Sequence, residues 1–272
     1  DSHQHFWELS RGDYSWLTPE LALLYKDFLP NDFLPLLQKA NVTKTVLVQA
    51  AATTAETEFM LKVASETEFV TGVVGWIDME SPDVIEQLIR FNENKYFKGI
   101  RPMLQEIDDI NWMLKPEFSP VYEYLIDNNL TFDALVKPEH LKPLYQLLTR
   151  YPELKVVIDH GAKPCIKDNS SNDWFENIAL IANKTSAYCK LSGLVTEAGT
   201  DPSYQALHPY MEHLLVNFTA SRLMWGSDWP VVNLASDYPK WTKYVETFIE
   251  PLTAKEQQSI WAAATQEFYG IE

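Results

Sequence analysis

Short apolar runs recur along the whole chain and alternate with stretches of helical periodicity. Each run is rich in β-branched residues and is short enough to form a single strand. Several runs are apolar at every position, as in parallel strands that are buried on both faces. The eight predicted strands are a first one that carries residues 3–5, and then residues 45–49, 70–76, 97–101, 131–135, 156–160, 188–192 and 223–228.

The intervals between these runs carry helical signals. Ser119 and Pro120 read as an N-cap followed by proline at the first helical position. The last helix begins with a capping box, in which Thr253 precedes Glu256 by three positions, and ends near Gly270. Repeated strand–helix alternation is typical of a parallel α/β fold, and eight units favour a (β/α)8 TIM barrel over an open sheet. Without a visible linker or repeat, we expect one barrel domain over residues 1–272.

Composition narrows the class of protein. The formal net charge of −16 argues against nucleic acid and anionic membranes as partners. No apolar run reaches the length of about 18 residues that a transmembrane helix needs, and no signal peptide is visible. Two cysteines argue against a disulfide framework and fit a reducing compartment. We therefore expect a cytoplasmic monomer or homodimer that acts on a small molecule. Because the chain starts at Asp1 without a methionine, inside the predicted first strand, we expect a few residues to precede it.

Two histidines near the start of the chain, His3 and His5, bracket Gln4 in the predicted first strand. Because side chains alternate across a strand, both imidazoles face the same side. In a closed barrel the first and last strands are neighbours, so Asp228, at the end of the last strand, would lie beside them. Two imidazoles and a carboxylate can bind a metal, polarise a carbonyl or relay a proton.

The active site of such a barrel lies where the strands end. Asp228, if ionised, can accept a proton from an attacking water. The imidazoles of His3, His5 and His160 can donate hydrogen bonds to a carbonyl oxygen as it gains negative charge. Other polar or aromatic residues at strand ends are Gln49, Trp76, Asp78, Arg101, Lys163, Ser192, Glu197 and Trp229.

Five of these residues are candidates for substrate binding, each with an ordinary alternative. Arg101 offers a fork of donors for a carboxylate or a polyol, or forms an ion pair at the barrel rim. Lys163 contacts a substrate oxygen or is solvated, and Glu197 contacts substrate or caps its loop. Trp76 and Trp229 stack on a sugar ring or pack against the predicted lid of residues 6–30.

Residues 6–30 form an unusually long connection before the first clear helix. Long loops in compact domains are commonly lids or flexible segments. The aromatic residues in this segment favour an ordered lid, and the alternative is a plug at one end of the barrel.

Nucleophilic and nucleotide-dependent chemistry is not indicated. Ser192 and Ser227 lack the G-x-S-x-G elbow, and Cys165 has no evident base partner. The chain contains neither a G-x-G-x-x-G motif nor a P-loop.

Seven motifs, taken together from residue 1 to about 270, resemble the amidohydrolase superfamily of the amidohydrolase 2 type, and within it the sugar-acid lactonases. The motifs are residues 3–7 (HQHFW), 48–50 (VQA), 72–76 (GVVGW), 99–101 (GIR), 159–164 (DHGAKP), 189–194 (CKLSGL) and 226–230 (GSDWP). The resemblance implies a (β/α)8 barrel that opens a lactone to its hydroxy acid, with Asp228 as the base. The histidines and Arg101 would then bind and polarise the lactone.

Departures from the metal-dependent amidohydrolases bear on the cofactor. Those enzymes add a lysine or glutamate and a further histidine from the middle strands, whereas here the fifth predicted strand ends without a histidine and the fourth without an evident bridging lysine. The related pyrone-dicarboxylate lactonases are thought to work without metal. We therefore expect no required cofactor. The alternative is one divalent ion such as zinc at His3, His5 and Asp228, with His160 as a further ligand. Pro102 stands where this branch more often has a histidine, which leaves the precise lactone open.

The leading hypothesis is an aldonolactone hydrolase. A metal-dependent decarboxylase or hydratase on a small carboxylate is the alternative, and loss of activity with a chelator would favour it. A binder of small acids without turnover is the third hypothesis. Asp228 argues against it, because a base aimed at water has little use in a binding protein.

Overall fold

Seven parallel strands form one curled sheet in the computed structural model, which describes residues 1–168, 170 and 172–272, without the side chain of residue 172. The strands lie side by side in chain order. They match the second to eighth predicted strands and are β1 Thr45–Val48, β2 Val70–Gly75, β3 Phe97–Ile100, β4 Thr131–Ala134, β5 Lys155–Ile158, β6 Tyr188–Leu191 and β7 Leu223–Trp225. Nearly all strand residues are buried, which explains the continuous apolar runs.

The predicted first strand is not a strand of this sheet, so the sequence-based expectation of eight strands is met in part. Gln4 makes single parallel bridges to Leu47 on one side and to Trp229 on the other. The backbone N–H of Gln4 donates to the carbonyl of Val46 (3.3 Å), and that of His5 donates to Trp229 (2.8 Å). Because β7 ends at Trp225, the pairing beyond it is limited to an isolated bridge. The segment nevertheless lies between β1 and the residues that follow β7.

Helices connect successive strands. They are α1 Pro30–Lys39, α2 Thr54–Glu66, α3 Val84–Asn92, α4 Ser119–Asp127, α5 Leu141–Arg150, α6 Asn172–Lys184, α7 Leu194–Glu197, α8 Tyr204–Phe218, α9 Tyr238–Ile249, α10 Ala254–Gln258 and α11 Ala264–Tyr269. A π-helical turn, Ser259–Ala263, joins the last two. In the described ranges, no helix is long and apolar enough to cross a bilayer.

Two of the predicted helix ends can be compared directly. The capping box of Thr253 and Glu256 is confirmed, and Gly270 ends α11 in a left-handed conformation. Ser119 is not an N-cap but the first helical residue of α4. Its hydroxyl accepts a hydrogen bond from the Tyr151 hydroxyl (2.7 Å) instead of capping the helix.

The core has two parts. The larger part fills the space between the sheet and the helices, and the smaller part lies among valines of the strands, where Phe268 and Tyr269 of α11 pack against them. Burial of an aromatic side chain of this size contributes about 2 kcal/mol. Helix α11 therefore inserts the Tyr269 hydroxyl among the strands, where it donates to Asp133 (2.6 Å).

The long segment of residues 6–30 is ordered and anchored to α2. Buried Glu56 accepts hydrogen bonds from the Tyr14 hydroxyl (2.8 Å) and from Arg11 (3.2 Å), both in this segment. Burial raises the pKa of Glu56 to about 7, although these donors oppose the shift. Trp16 and Leu21 line the cavity at the strand ends, so the segment has the position of a lid.

Candidate active site

A cavity of about 240 Å³ opens at the carboxyl ends of the strands. It is smaller than the range of about 300–1,000 Å³ that is usual for drug-sized ligands, so it suits a small ring. Five of the residues predicted from strand ends line it, namely His5, Arg101, His160, Lys163 and Asp228.

Three imidazoles converge on the carboxylate of Asp228. Oδ1 of Asp228 lies 3.3 Å from Nε2 of His5, 3.7 Å from Nε2 of His3 and 3.8 Å from Nε2 of His160. The Nε2 atoms of His3 and His5 are 3.2 Å apart. All four side chains are buried. The structure therefore brings together the four residues predicted as catalytic.

A left-handed turn after β5 aims two of the predicted residues into this cavity. Residues 160–163 all have positive φ angles, 54° at His160 and 50° at Lys163. This conformation costs about 1–2 kcal/mol per non-glycine residue. Gly193, which follows β6, leaves space for the imidazole of His160, because a Cβ atom at residue 193 would lie 2.5 Å from Nδ1 of His160. Local strain and a glycine thus fix the position of His160.

Neighbouring groups determine which ring nitrogens carry protons. Nδ1 of His5 lies 2.8 Å from the carbonyl oxygen of Val48, so this nitrogen must be an N–H donor. Nε2, the other ring nitrogen of His5, faces Oδ1 of Asp228 at 3.3 Å. Nδ1 of His160 pairs with the Ser192 hydroxyl (2.9 Å), which leaves Nε2 of His160 directed at Asp228.

Burial and charge set the ionisation of the site. Burial alone would raise the pKa of the Asp228 carboxyl, but the imidazoles of His160, His5 and His3 outweigh it and hold the pKa well below its usual range. Burial lowers the pKa of His160 to about 4, although Asp228 opposes the shift. Burial and the charge of Lys190 lower the pKa of His3 well below its usual value. At neutral pH the site therefore holds a carboxylate beside two neutral imidazoles.

The lowered pKa of His160 predicts that stability falls on acidification. Between the unfolded pKa of about 6.5 and the folded value of about 4, His160 binds a proton in the unfolded chain but not in the folded one. The free energy of unfolding should therefore decrease as the pH falls through this window, by about 3 kcal/mol in total from His160. Urea unfolding near pH 7 and near pH 5 measures the part of this change that falls between those two values, about 2 kcal/mol.

His160→Gln should show a clearly smaller pH dependence of stability than the wild type. His208→Gln on α8 is the control and should keep the full dependence. An unchanged dependence in His160→Gln would contradict the assignment.

Arg101 has less freedom than a residue on the rim. Its Nη1 donates to Oδ2 of Asp159 (3.2 Å), and Nη2 donates to the carbonyl oxygen of Gln49. Its Nε makes no hydrogen bond within the described part of the chain. The guanidinium thus forms an ion pair, as one of the two predictions for Arg101 had it, but its partner is buried. Arg101 also lines the cavity.

Sequence reasoning missed a buried group of charges beneath the imidazoles. Nζ of Lys190 lies 2.6 Å from Oδ2 of Asp133 and 3.0 Å from Oδ1 of Asp159. It also lies 3.1 Å from Nδ1 of His3. All are fully buried. The sequence did contain a sign of this group, namely a lysine or aspartate inside an apolar strand, because such a residue is rarely buried without a partner.

The remaining predicted binding residues lie at different distances from the cavity. Half-buried Glu197 does not line it but feels the charges of Lys163 and Asp228, and burial raises its pKa. Trp76 lines a neighbouring cavity. Trp229 is in the core, stacked on Phe33 with ring centroids 4.4 Å apart. Asp78 accepts from the backbone N–H of Glu80 (3.0 Å).

Trp16 of the long segment provides the aromatic wall that Trp76 and Trp229 do not. Its Nε1 donates to the carbonyl oxygen of Ala50 (2.7 Å), which fixes the ring at the cavity. We expect Trp16→Leu to raise KM about 10-fold with a smaller effect on kcat, since the ring contacts ground state and transition state alike. Steady-state kinetics measures both. A fall in kcat at constant KM would assign Trp16 to the chemical step instead.

The spacing of the donors suits a divalent cation. Nε2 of His3, Nε2 of His5 and Oδ1 of Asp228 lie 3.2–3.7 Å apart, and the ligand atoms of a tetrahedral zinc ion are about 3.3 Å apart. His5 and Asp228 meet the chemical requirement as well. For His3 the requirement depends on the tautomer, because its Nδ1 lies 3.1 Å from Nζ of Lys190. The spacing of the three predicted ligands allows a metal.

Similarity to known proteins extends over the whole chain. The amidohydrolase family model matches residues 1–271. An L-fucono-1,5-lactonase of Burkholderia ambifaria is 40% identical over 276 residues, which cover 100% of this chain and 95% of the relative. A second L-fucono-1,5-lactonase, from Burkholderia multivorans, is 31% identical over 283 residues, with the same coverage.

Solved structures agree with the sequence relatives. An amidohydrolase from Burkholderia multivorans superimposes with a TM-score of 0.94 at 31% identity, over 100% of this chain and 99% of the other. It was crystallised with bound HEPES and, in a second crystal form, with bound zinc.

Proposed function

Because the chain belongs to the amidohydrolase family, we propose that it hydrolyses the cyclic ester of a sugar acid to the open hydroxy acid. The observation that carries the proposal is the Asp228 carboxylate, which lies at a small cavity among three imidazoles and has a lowered pKa. The two relatives named L-fucono-1,5-lactonase support a lactone as the substrate.

Asp228 acts as the general base. Its Oδ1 takes a proton from a water while the water oxygen forms a bond to the lactone carbonyl carbon. Nε2–H groups of His3 and His160 donate to the carbonyl oxygen as it becomes an oxyanion. The ring C–O bond then breaks, and the leaving alkoxide takes the proton from Asp228. This restores the carboxylate, and the new carboxylic acid releases its proton to solvent.

Three residues at the cavity wall bind the sugar. Arg101 and Lys163 present donors there, whereas Glu197 does not line the cavity and interacts with the charge of Lys163. Trp16 covers one face of the ring. Trp76 and Trp229 are left out of the binding set, because neither lines the cavity.

The reaction requires no metal in this proposal. A lactone is an activated ester, so one base and a set of donors suffice without a Lewis acid. A cation held by His5 and Asp228 would occupy the carboxylate oxygens that must accept the proton. The support from this chain is the donor character of His3, which rests on its contact with Lys190.

We also propose that residues 2–7 complete a closed (β/α)8 barrel as its first strand, in a single domain. Support comes from the hydrogen bonds that this segment makes on both sides, including Ser2 to Trp225 (3.0 Å) and Val48 to Gln4 (2.9 Å).

A panel of aldonolactones with five- and six-membered rings tests the function. Acid release is followed with a pH indicator, using protein dialysed against a chelator and the same protein with zinc restored. We expect rapid hydrolysis of at least one lactone by the protein that was dialysed against the chelator. Turnover that requires zinc would refute the metal-free mechanism while keeping the lactonase. No turnover of any lactone, together with release of carbon dioxide from an aromatic acid, would replace the proposal with the decarboxylase alternative.

A further inference from the structure

Nζ of Lys190 contacts three groups, two through hydrogen bonds and one, Oδ1 of Asp159, as an ion pair that makes no hydrogen bond in the described part of the chain. Its Nζ contacts Oδ2 of Asp133 (2.6 Å), Oδ1 of Asp159 (3.0 Å) and Nδ1 of His3 (3.1 Å). An ammonium group has three N–H donors and no lone pair, so in each of these contacts Lys190 can only be the donor. Together with Arg101, the group holds two cations and two carboxylates. Buried charges are tolerated when they are balanced and hydrogen-bonded in this way.

The contact with Lys190 determines the tautomer of His3. A neutral imidazole has one N–H and one lone pair, so a nitrogen that accepts from Lys190 leaves the proton on the other. Two contacts compete. Oδ1 of Asp159 lies 3.5 Å from Nδ1 of His3, and Nη1 of Arg101 lies 3.5 Å from Nε2. Both are longer than the 3.1 Å contact with Lys190, and Nη1 already donates to Asp159.

We propose that Lys190 is a positioning residue that places the proton of His3 on Nε2, so that His3 is a hydrogen-bond donor in the site and not a metal ligand. Nε2 of His3 faces Nε2 of His5 (3.2 Å) and Oδ1 of Asp228 (3.7 Å). Since His5 donates from Nδ1 to Val48, its Nε2 can accept from His3. The donor role toward a substrate oxygen rests on the proposed function, whereas the tautomer does not.

Removal of Lys190 should reverse this arrangement. Without the ammonium, Oδ1 of Asp159 becomes the partner of Nδ1 of His3, and as an acceptor it draws the proton there. Nε2 of His3 is then a lone pair beside Nε2 of His5 and Oδ1 of Asp228, in the spacing of a metal site. A variant that lacks Lys190 should therefore bind a divalent cation more tightly than the wild type.

The variant must leave the buried charges balanced. Lys190→Met alone would leave the buried charge of Asp133 without an ion-pair partner. Asp133 would keep only the hydroxyl donors of Tyr269 (2.6 Å) and Thr131 (3.2 Å). Lys190→Met combined with Asp133→Asn removes one charge of each sign and approximates both shapes. Asp133→Asn alone keeps Lys190 and is the matched control.

The first readout is the tautomer of His3 in chelator-treated protein. Histidine labelled with ¹⁵N distinguishes protonated from unprotonated ring nitrogens in two-bond ¹H–¹⁵N spectra, and the His3 signals are those that disappear in His3→Gln. We expect N–H at Nε2 in the wild type and in Asp133→Asn, and at Nδ1 in the double variant. N–H at Nδ1 in the wild type would overturn the proposal, and this measurement stands even if the double variant does not fold.

The second readout is the affinity for Co²⁺, followed by visible absorption. We expect the wild type and His3→Gln to bind Co²⁺ within about twofold of each other, and the double variant to bind at least about 10-fold more tightly than both. Weaker binding by His3→Gln than by the wild type would show that His3 is already a ligand and would overturn the proposal. Neither readout requires turnover, so failure of the lactonase proposal would leave both results unaffected.

Discussion

Asp228→Asn is expected to lower kcat for lactone hydrolysis by about 10³-fold or more and to change KM little. An amide cannot take a proton from water, whereas a positioned base contributes about 10²–10⁴-fold. Asparagine keeps the size of the side chain, and its oxygen can still accept a bond from a neighbouring imidazole. The loss should therefore fall on the chemical step, and steady-state kinetics on the best lactone of the panel measures it.

Asp237→Asn is the matched control for this prediction. Asp237 lies downstream of the same strand and caps α9, with its side chain accepting from the backbone N–H of Lys240 (2.7 Å). Asparagine is an equally good N-cap, so this variant should keep full activity. A turnover number for Asp228→Asn within about 10-fold of the wild type would rule out Asp228 as the general base.

Gly193→Ala is expected to lower kcat/KM by about 100-fold. The new Cβ would lie 2.5 Å from Nδ1 and 2.6 Å from Cγ of His160, so the imidazole must move. A displacement of about 1 Å at a catalytic group can cost a factor of this size. The positive φ of 64° adds strain, so we also expect the free energy of unfolding to fall by about 1–3 kcal/mol.

Gly270→Ala separates the two effects of this substitution. Gly270 has a similar φ of 59°, but nothing lies within 4 Å of a Cβ at that position. It should share the loss of stability from backbone strain and keep the activity. Equal losses of activity in the two variants would show that strain alone, and not the contact with His160, explains the result.

The parallel strands and the proposed catalytic group could be predicted from the sequence for simple physical reasons. Strands buried on both faces give continuous apolar runs, and the ends of parallel strands meet at one edge. These two rules were enough to bring His160 and Asp228 together although they lie far apart in the chain. The alternation of side chains likewise placed His3 and His5 on one side.

Other features could not be read from the sequence. Whether Trp229 faces a cavity or the core depends on Phe33, which stacks on it from α1, and no local pattern reveals that contact. The pairing of residues 2–7 depends on how β7 ends. Lys190 was visible as a charge within an apolar strand, but its partners come from three other segments, so their meeting requires the fold.

A single turnover in ¹⁸O-labelled water tests the central claim, that Asp228 activates water and does not itself attack the lactone. Enzyme in excess over the best lactone converts it once, and mass spectrometry then locates the label in the product and in the peptide that contains Asp228. Water activation predicts one ¹⁸O atom in the carboxylate of the product and none in Asp228. Label in the Asp228 side chain would mean that a covalent intermediate forms there, which would contradict the mechanism.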